Sequence, residues 1–323
     1  MVGVPQADGR RRVTTSGSTE ALKRTLVVLA FAAAVWVGHP ALALFVGALV
    51  SVALAPNLPS IVDRAGKLCL KSAIVILGFT LNVEAIWQTS RDYSGLVVTF
   101  VACTLFAGLV IGRLVKVDED QSRLLSTGTA ICGGTAIVTL APVIRARPES
   151  VAICIGIVFI LNAIAILVLP WLGGYLRMTQ DQFGVWVALA IHDTSSVVGA
   201  AAIFGERALE VATTVKLVRT LLLVPIVLLA GILLRQSEAK LRIPAFLVLF
   251  VAASFAGSWL EPAVAVVDQA KAASHFLLIV ALFLIGMEIR RSTLASLNAR
   301  AVWLSVVLWL MLVPVTLLAA MSW

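Results

Sequence analysis

The chain has 323 residues, 60% of them hydrophobic and 13% charged, with a mean hydropathy of +1.03. A soluble domain carries fewer apolar residues and about twice the charge, so these values exclude one and point to an all-α polytopic membrane protein. The net charge of +8 falls in short basic clusters between apolar runs, with no separate hydrophilic domain to carry it, which excludes a nucleic-acid-binding protein.

In chain order, residues 1–23 are polar and hold Arg10, Arg11 and Arg12. They read as a disordered basic cytoplasmic tail, too hydrophilic for a cleaved signal. Residues 24–323 read as one transmembrane domain. Apolar runs of spanning length number about eleven: 24–38, 41–56, 68–84, 94–112, 122–141, 150–170, 183–204, 211–234, 243–260, 272–289 and 301–322. With the N-terminus cytoplasmic, most of the 25 Lys and Arg fall on the inner side, which gives an N-in, C-out protein of the cell membrane. Asn82, Glu84, Asn162, His275 and Glu288 fall mostly near span ends, where about half are expected to be interfacial. Cys69, Cys103, Cys132 and Cys154 lie far apart without CxxC spacing, so neither a metal site nor a disulfide framework is expected.

The third span, VILGFTLNVEAI (75–86), resembles LFLIGMEIRRSTL (282–294), with Gly78 matching Gly286 and the two spans running oppositely. That is the trace expected of an inverted repeat. A second likeness pairs AICGGTAI (130–137) with AIHDTSSV (190–197), but there the spans run the same way. The two likenesses therefore do not form one simple repeat.

The fifth span carries STGTAICGGTAIVTLAP (126–142), crowding Gly128, Gly133, Gly134, Thr127, Thr129, Thr135 and Cys132 into an apolar run. A break at Gly133-Gly134 would expose the N–H groups of a half-helix starting near Thr135, a site for an anion at mid-membrane depth. The alternative is close helix packing. The seventh span carries IHDTSSVVGAA (191–201), where His192, Asp193, Thr194, Ser195 and Ser196 are costly in lipid unless they face a cavity. A polar seam between helices is the alternative. In the eighth, Lys216 and Arg219 share one helical face and require a counter-charge or an anionic ligand, unless Lys216 snorkels outward. Asp193 is the expected partner of Arg219 or Lys216, and Asp193 or His192 the expected carrier of a coupled proton.

GTAICGGTAI with Pro142 and Glu149 beyond it, IHDTSSVVGAA, VKLVRTLLLVP and the early LGFTL together resemble the YeiH-type membrane proteins, a family named for sulfate export, from about Ala41 to the C-terminus. The first motif of that family reads like GTSICGASAI, so Thr129, Cys132, Gly133 and Ala136 match, while Gly134 and Thr135 replace Ala and Ser. Its second resembles SVHEVAQV. Here His192 matches, Asp193 stands for Glu, and Thr194, Ser195 and Ser196 replace Val-Ala-Gln. Lys216 and Arg219 match its K-x-x-R element. The GGT core is also similar to the crossing-helix motif of the bile-acid/sodium symporter superfamily, which implies a panel domain and a core domain with broken crossing helices.

These readings converge on a secondary transporter of a small anion, sulfate or a sulfonate-derived ion, working by alternating access. Its substrate contacts are expected from Thr129, Cys132, Gly133, Gly134, Thr135, Thr194, Ser195, Ser196, Lys216 and Arg219. An intramembrane enzyme or an ion channel is the alternative, but the chain lacks a P-loop, an HExxH zinc site and paired mid-membrane Asp residues, so neither enzyme activity nor a cofactor is expected. The expected partners are the small anion, a coupling ion (H+ or Na+) and the lipid bilayer, with a homodimer left open.

Overall fold

The computed structural model describes residues 11–54, 60–233, 245–287 and 299–322. Glu288 and the end of the 282–294 likeness lie outside them. The described residues form fourteen helices: α1 (Arg11–Val37), α2 (Pro40–Leu54), α3 (Ser60–Thr80), α4 (Val83–Leu114), α5 (Glu119–Ala130), α6 (Gly134–Val143), α7 (Pro148–Tyr175), α8 (Gln180–Ala190), α9 (Thr194–Phe204), α10 (Glu206–Leu221), α11 (Leu223–Leu233), α12 (Ala245–Leu260), α13 (Val264–Met287) and α14 (Ala299–Met321). α1 starts at Arg11, so helical backbone extends into the segment whose composition predicts a tail. Among the described residues, five helices are long and apolar enough to cross a membrane: α4, α7, α10 continued through α11, α13 and α14. Large apolar side chains such as Trp36, Phe106, Trp171, Trp259 and Leu318 stand on the outer surface, as a lipid-facing protein requires.

The helices pack as two groups. α1, α2, α3, α12 and α13 form one, and α4 to α10 with α14 form the other, joined where α2 meets α9 and α12 meets α4. Within the first group, glycines set the helix separations. A Cβ on Gly47 of α2 would strike the Phe283 carbonyl of α13, and one on Gly257 of α12 would strike that of Phe79 in α3. Ser51 of α2 donates to the Met287 carbonyl of α13 at 2.8 Å, and Ser254 of α12 donates to the Leu81 carbonyl just past α3 at 3.3 Å. With few hydrophobic gains available between helices in lipid, such close approach and interhelical bonding is what holds them together.

In the second group the turns are short and well capped. Lys116, Arg145 and Arg177 adopt positive φ just past α4, α6 and α7. Each turn closes with a six-residue backbone bond, such as Ala146 N–H to the Ala141 carbonyl at 2.9 Å. Asp118 caps α5, and Thr179 with Gln182 forms a capping box on α8. Arg147, at the start of α7, pairs with Asp118 and Asp120 across the α4–α5 turn. Its hydrogen bond to Asp118 holds its guanidinium above the usual range.

Both polar stretches singled out by sequence are helix breaks. α5 stops at Ala130 because Ile131 (φ −119°, ψ −89°) and Gly133 (φ 61°, ψ −122°) leave the helical region, and a side chain at Gly133 would be strained in that conformation. The chain resumes as α6 at Gly134. α8 stops at Ala190, and extended backbone at Ile191 leads to α9, whose N-cap is Asp193. Each break leaves carbonyls at the end of a half-helix, deep in the protein and away from water. One side chain meets most of them. Arg219, 0% exposed, donates Nε–H to the Ala130 carbonyl at 2.7 Å and an Nη2 proton to that of Thr129. Its Nη1 reaches the carbonyls of Ala188 (2.8 Å), Leu189 (2.9 Å) and Ile191 (3.2 Å). Lys216 donates to the carbonyls of Ile191 and His192 at 2.9 and 2.6 Å, and the Trp309 indole to that of Ala190 at 2.9 Å. The Phe100 ring lies under the guanidinium, 4.7 Å from ring centroid to Cζ.

Replacing Arg219 with Leu should cost at least about 3 kcal/mol, because several buried carbonyls lose their donor at about 1–3 kcal/mol each. Thermal melts in detergent should show this loss, with Trp309→Phe costing about 1 kcal/mol and the double mutant departing from additivity because both side chains cap the end of α8. Gly257→Ala should destabilise by about 1–3 kcal/mol through overpacking. Gly95→Ala, where a Cβ meets nothing within 4 Å, should be neutral or stabilising by up to about 1 kcal/mol in the same melts.

Candidate functional site

A cavity of about 930 Å³ lies between the two groups of helices, and both breaks open onto it. The first turn of α6 contributes Gly134 and Thr135, and the start of α9 contributes Asp193, Thr194, Ser195 and Ser196. Two helix N-termini thus meet one space, each carrying about half a positive charge from its peptide dipoles. The two starts differ. Asp193 accepts from the Ser195 N–H at 3.0 Å and from the Ser195 hydroxyl, so α9 is capped by its own carboxylate. α6 has no side-chain cap, because its N-cap is Gly133, and its first backbone bond is from Ile137 N–H to the Gly133 carbonyl at 3.1 Å. The N–H groups of Gly134 and Thr135 precede that bond, that of Ala136 being bonded to the Cys132 sulfur, and a Cβ at Gly134 would meet nothing within 4 Å.

Asn162, in the middle of α7, buttresses the second break. Its Oδ1 accepts from the N–H groups of His192 (3.1 Å) and Asp193 (3.4 Å), which fixes the extended segment before α9. Asn162 also lines the cavity, is only 2% exposed, and its Nδ2 has no hydrogen-bond partner among the described residues. The opposite wall comes from α3, which presents Lys67 and Lys71 one turn apart. The Nζ atoms of these lysines lie 5.8 Å and 5.9 Å from the ring centroids of Phe159 and Phe246. Lys71 stands eleven residues into the 21-residue α3, about 16 Å from its start and so near its midpoint.

Of the residues expected at the site, Gly134, Thr135, Asp193, Thr194, Ser195 and Ser196 line the cavity. Thr129, Cys132, Gly133, His192, Lys216 and Arg219 lie buried behind it and shape the breaks. The expected pairing of Asp193 with Arg219 or Lys216 is corrected by the structure, in which both cations bond to main-chain carbonyls and Asp193 bonds to Ser195. The physical reason is that the ends of α5 and α8 concentrate negative dipole charge and unpaired acceptors, which draw the cations more effectively than one carboxylate already capping a helix. His192 has no partner on either ring nitrogen among the described residues.

Lys67, Lys71 and Asn162 are not among the site residues expected from the sequence. The N-in topology puts the two lysines on the inner side, although Lys71 is followed by the apolar run SAIVILGF and is four residues from Lys67, which places both on one helical face. Asn162 belongs to a set of which about half are expected to be interfacial, yet it stands fourteen residues into a 28-residue helix. Its position within an uninterrupted apolar run was the available signal.

The family model described as conserved hypothetical protein 698 matches residues 24–305. A UPF0324 membrane protein of Geobacter sulfurreducens is 37% identical over 293 residues, covering 91% of this chain and 94% of the relative. Relatives of the same name in Bacteroides thetaiotaomicron (37% over 279 residues, covering 86% of this chain and 84% of the relative) and Shewanella oneidensis (38% over 253 residues, 78% and 80%) are similar to it as well. No solved structure matches the chain. With a match across most of its length and relatives above one-third identity, the chain belongs to the conserved hypothetical protein 698 family, the UPF0324 membrane proteins.

Proposed function

We propose that the protein is a secondary transporter of a small anion, moving its substrate by alternating access between the two groups of helices. The observation that carries this reading is the convergence on one cavity of two half-helix N-termini, the hydroxyls of Thr135, Thr194, Ser195 and Ser196, and the cations Lys67 and Lys71. N–H donors, O–H donors and positive charge together suit an oxyanion. In this reading α1 to α3 with α12 and α13 are a panel, and the helices around the two breaks are a core. Counting α5 with α6, α8 with α9 and α10 with α11 as single interrupted crossings gives eleven spans, with the N-terminus inside the cell membrane. The bond from Ser51 to Met287 and that from Ser254 to Leu81 become equivalent when α2 and α3 are exchanged with α12 and α13, which supports an inverted repeat.

Asp193 is the coupling group, since it is the carboxylate that lines the cavity, while His192 lies behind it. It takes up H+ or Na+ as the anion moves. The chain then acts on its substrate by translocation and performs no chemistry on it.

Purified protein in liposomes should show saturable uptake of radiolabelled sulfate, sulfite or taurine, accelerated by the same anion on the far side. A channel would give no such acceleration. Lys71→Gln should reduce uptake at least about tenfold, the equivalent of one lost charge-assisted contact. Movement of Na+ or an organic cation without any anion would overturn the charge assignment. Asp193→Asn should flatten the pH profile of exchange while the helix persists, because Asn caps a helix about as well as Asp.

A further inference from the structure

The size and lining of the cavity point beyond a bare inorganic ion. At about 930 Å³ it is as large as the pockets that hold drug-sized ligands, roughly 300–1,000 Å³. Sulfate has five heavy atoms and would fill a small fraction of it. Beyond the two helix starts, Thr139, Asn162 and the two lysines, the wall is aliphatic and aromatic, with Leu70 and Ile74 from α3, Ile155 and Phe159 from α7, Phe246 from α12 and Ile285 from α13. The apolar lining continues through Val138, Ile164 and Leu167, which are 58%, 43% and 48% exposed, so the cavity runs out onto surface of lipid-facing character.

We infer that the cavity takes an amphipathic organic anion, whose oxyanion head sits at the uncapped start of α6 and the free Nδ2 of Asn162 and whose apolar body lies along Phe159, Ile74 and Phe246. This rests on the reading of the cavity as an anion-transport site. Two independent features place the head. The α6 N-terminus offers the N–H groups of Gly134 and Thr135 with no side chain capping from Gly133, and the Asn162 amide, almost fully buried, offers a donor without a partner among the described residues. The body follows from the wall. An inorganic ion would leave these apolar surfaces in contact with water, whereas an alkyl or aryl group removes them from it. Lys67 against Phe159 and Lys71 against Phe246 set positive charge directly beside the apolar surface, which is how an ion with a charged end and a greasy end is bound.

Calorimetry on the full chain in phosphatidylcholine nanodiscs, corrected with empty nanodiscs, tests this with sulfate, methanesulfonate, butanesulfonate, benzenesulfonate and butylammonium. Each methylene added to the sulfonate should tighten binding by up to about fourfold, the equivalent of 0.8 kcal/mol. Butylammonium should not bind. Phe159→Ser should reduce the chain-length dependence. Asn162→Asp keeps the acceptor for His192 and Asp193 but removes the free donor, and should weaken every sulfonate at least tenfold. Wild-type-like binding by Asn162→Asp would overturn the placement of the head. Sulfate binding as tightly as butanesulfonate would overturn the amphipathic assignment and leave the anion transporter standing. No binding or transport of any anion would overturn both. Adding phosphatidylglycerol distinguishes the sources, because competition in proportion to its mole fraction would identify an anionic lipid as the ligand, and indifference a free organic anion. Either result supports the inference.

Discussion

The structure depends on how buried carbonyls are satisfied where two helices break. Arg219 reaches five of them, on both half-helices, with five donors in a rigid planar fork. Lysine at the same place could make fewer of these bonds and could not hold the same geometry. Lys216 and Trp309 complete the end of α8, so carbonyls from Ala188 to His192 each receive a side-chain donor. With the negative ends of α5 and α8 neutralised in this way, the positive ends of α6 and α9 face the cavity. Cations buried at the helix ends behind the breaks and helix N-termini facing the cavity are two sides of one electrostatic arrangement.

The break at Gly133 was legible in the sequence, and the second, inside a stretch read as one span (183–204), was marked only by its polar residues, because such breaks require unusual residues. A positive φ at Gly133 needs glycine, and a cap at Asp193 needs a short polar side chain, so both stand out from an apolar background. The partners of the cations were not legible. Main-chain carbonyls leave no signature in side-chain identity, so Lys216 and Arg219 invited a search for a carboxylate, and Asp193 was the one within the preceding apolar span. Lys67 and Lys71 failed to register for a different reason. Topology assigns lysines at the edge of an apolar run to the membrane surface, and whether a helix turns such residues toward a cavity depends on its neighbours. The grouping of the helices was not legible, because which helices pair is decided by contacts such as Gly47 with Phe283 that no single segment reveals.

The two groups are held by different means. In α2, α3, α12 and α13, glycine contacts bring backbones together over long, nearly apolar surfaces. In the second group, caps, turns and buried polar bonds fix short helices in place. The seam between them carries few direct contacts beyond α2 with α9 and α12 with α4, and it is there that the cavity lies. A boundary so lightly joined between two well-tied bodies is where relative motion costs least.

A single guanidinium bridging both breaks also sets a standard of length. Since Arg219 holds the ends of α5 and α8 at once, the starts of α6 and α9 keep one spacing however the surrounding helices shift. For the amphipathic anion proposed above, the charged end would meet a gauge fixed from behind and the body an aliphatic and aromatic wall, so that strictness toward the head and tolerance toward the tail would both trace to a residue lying behind the cavity.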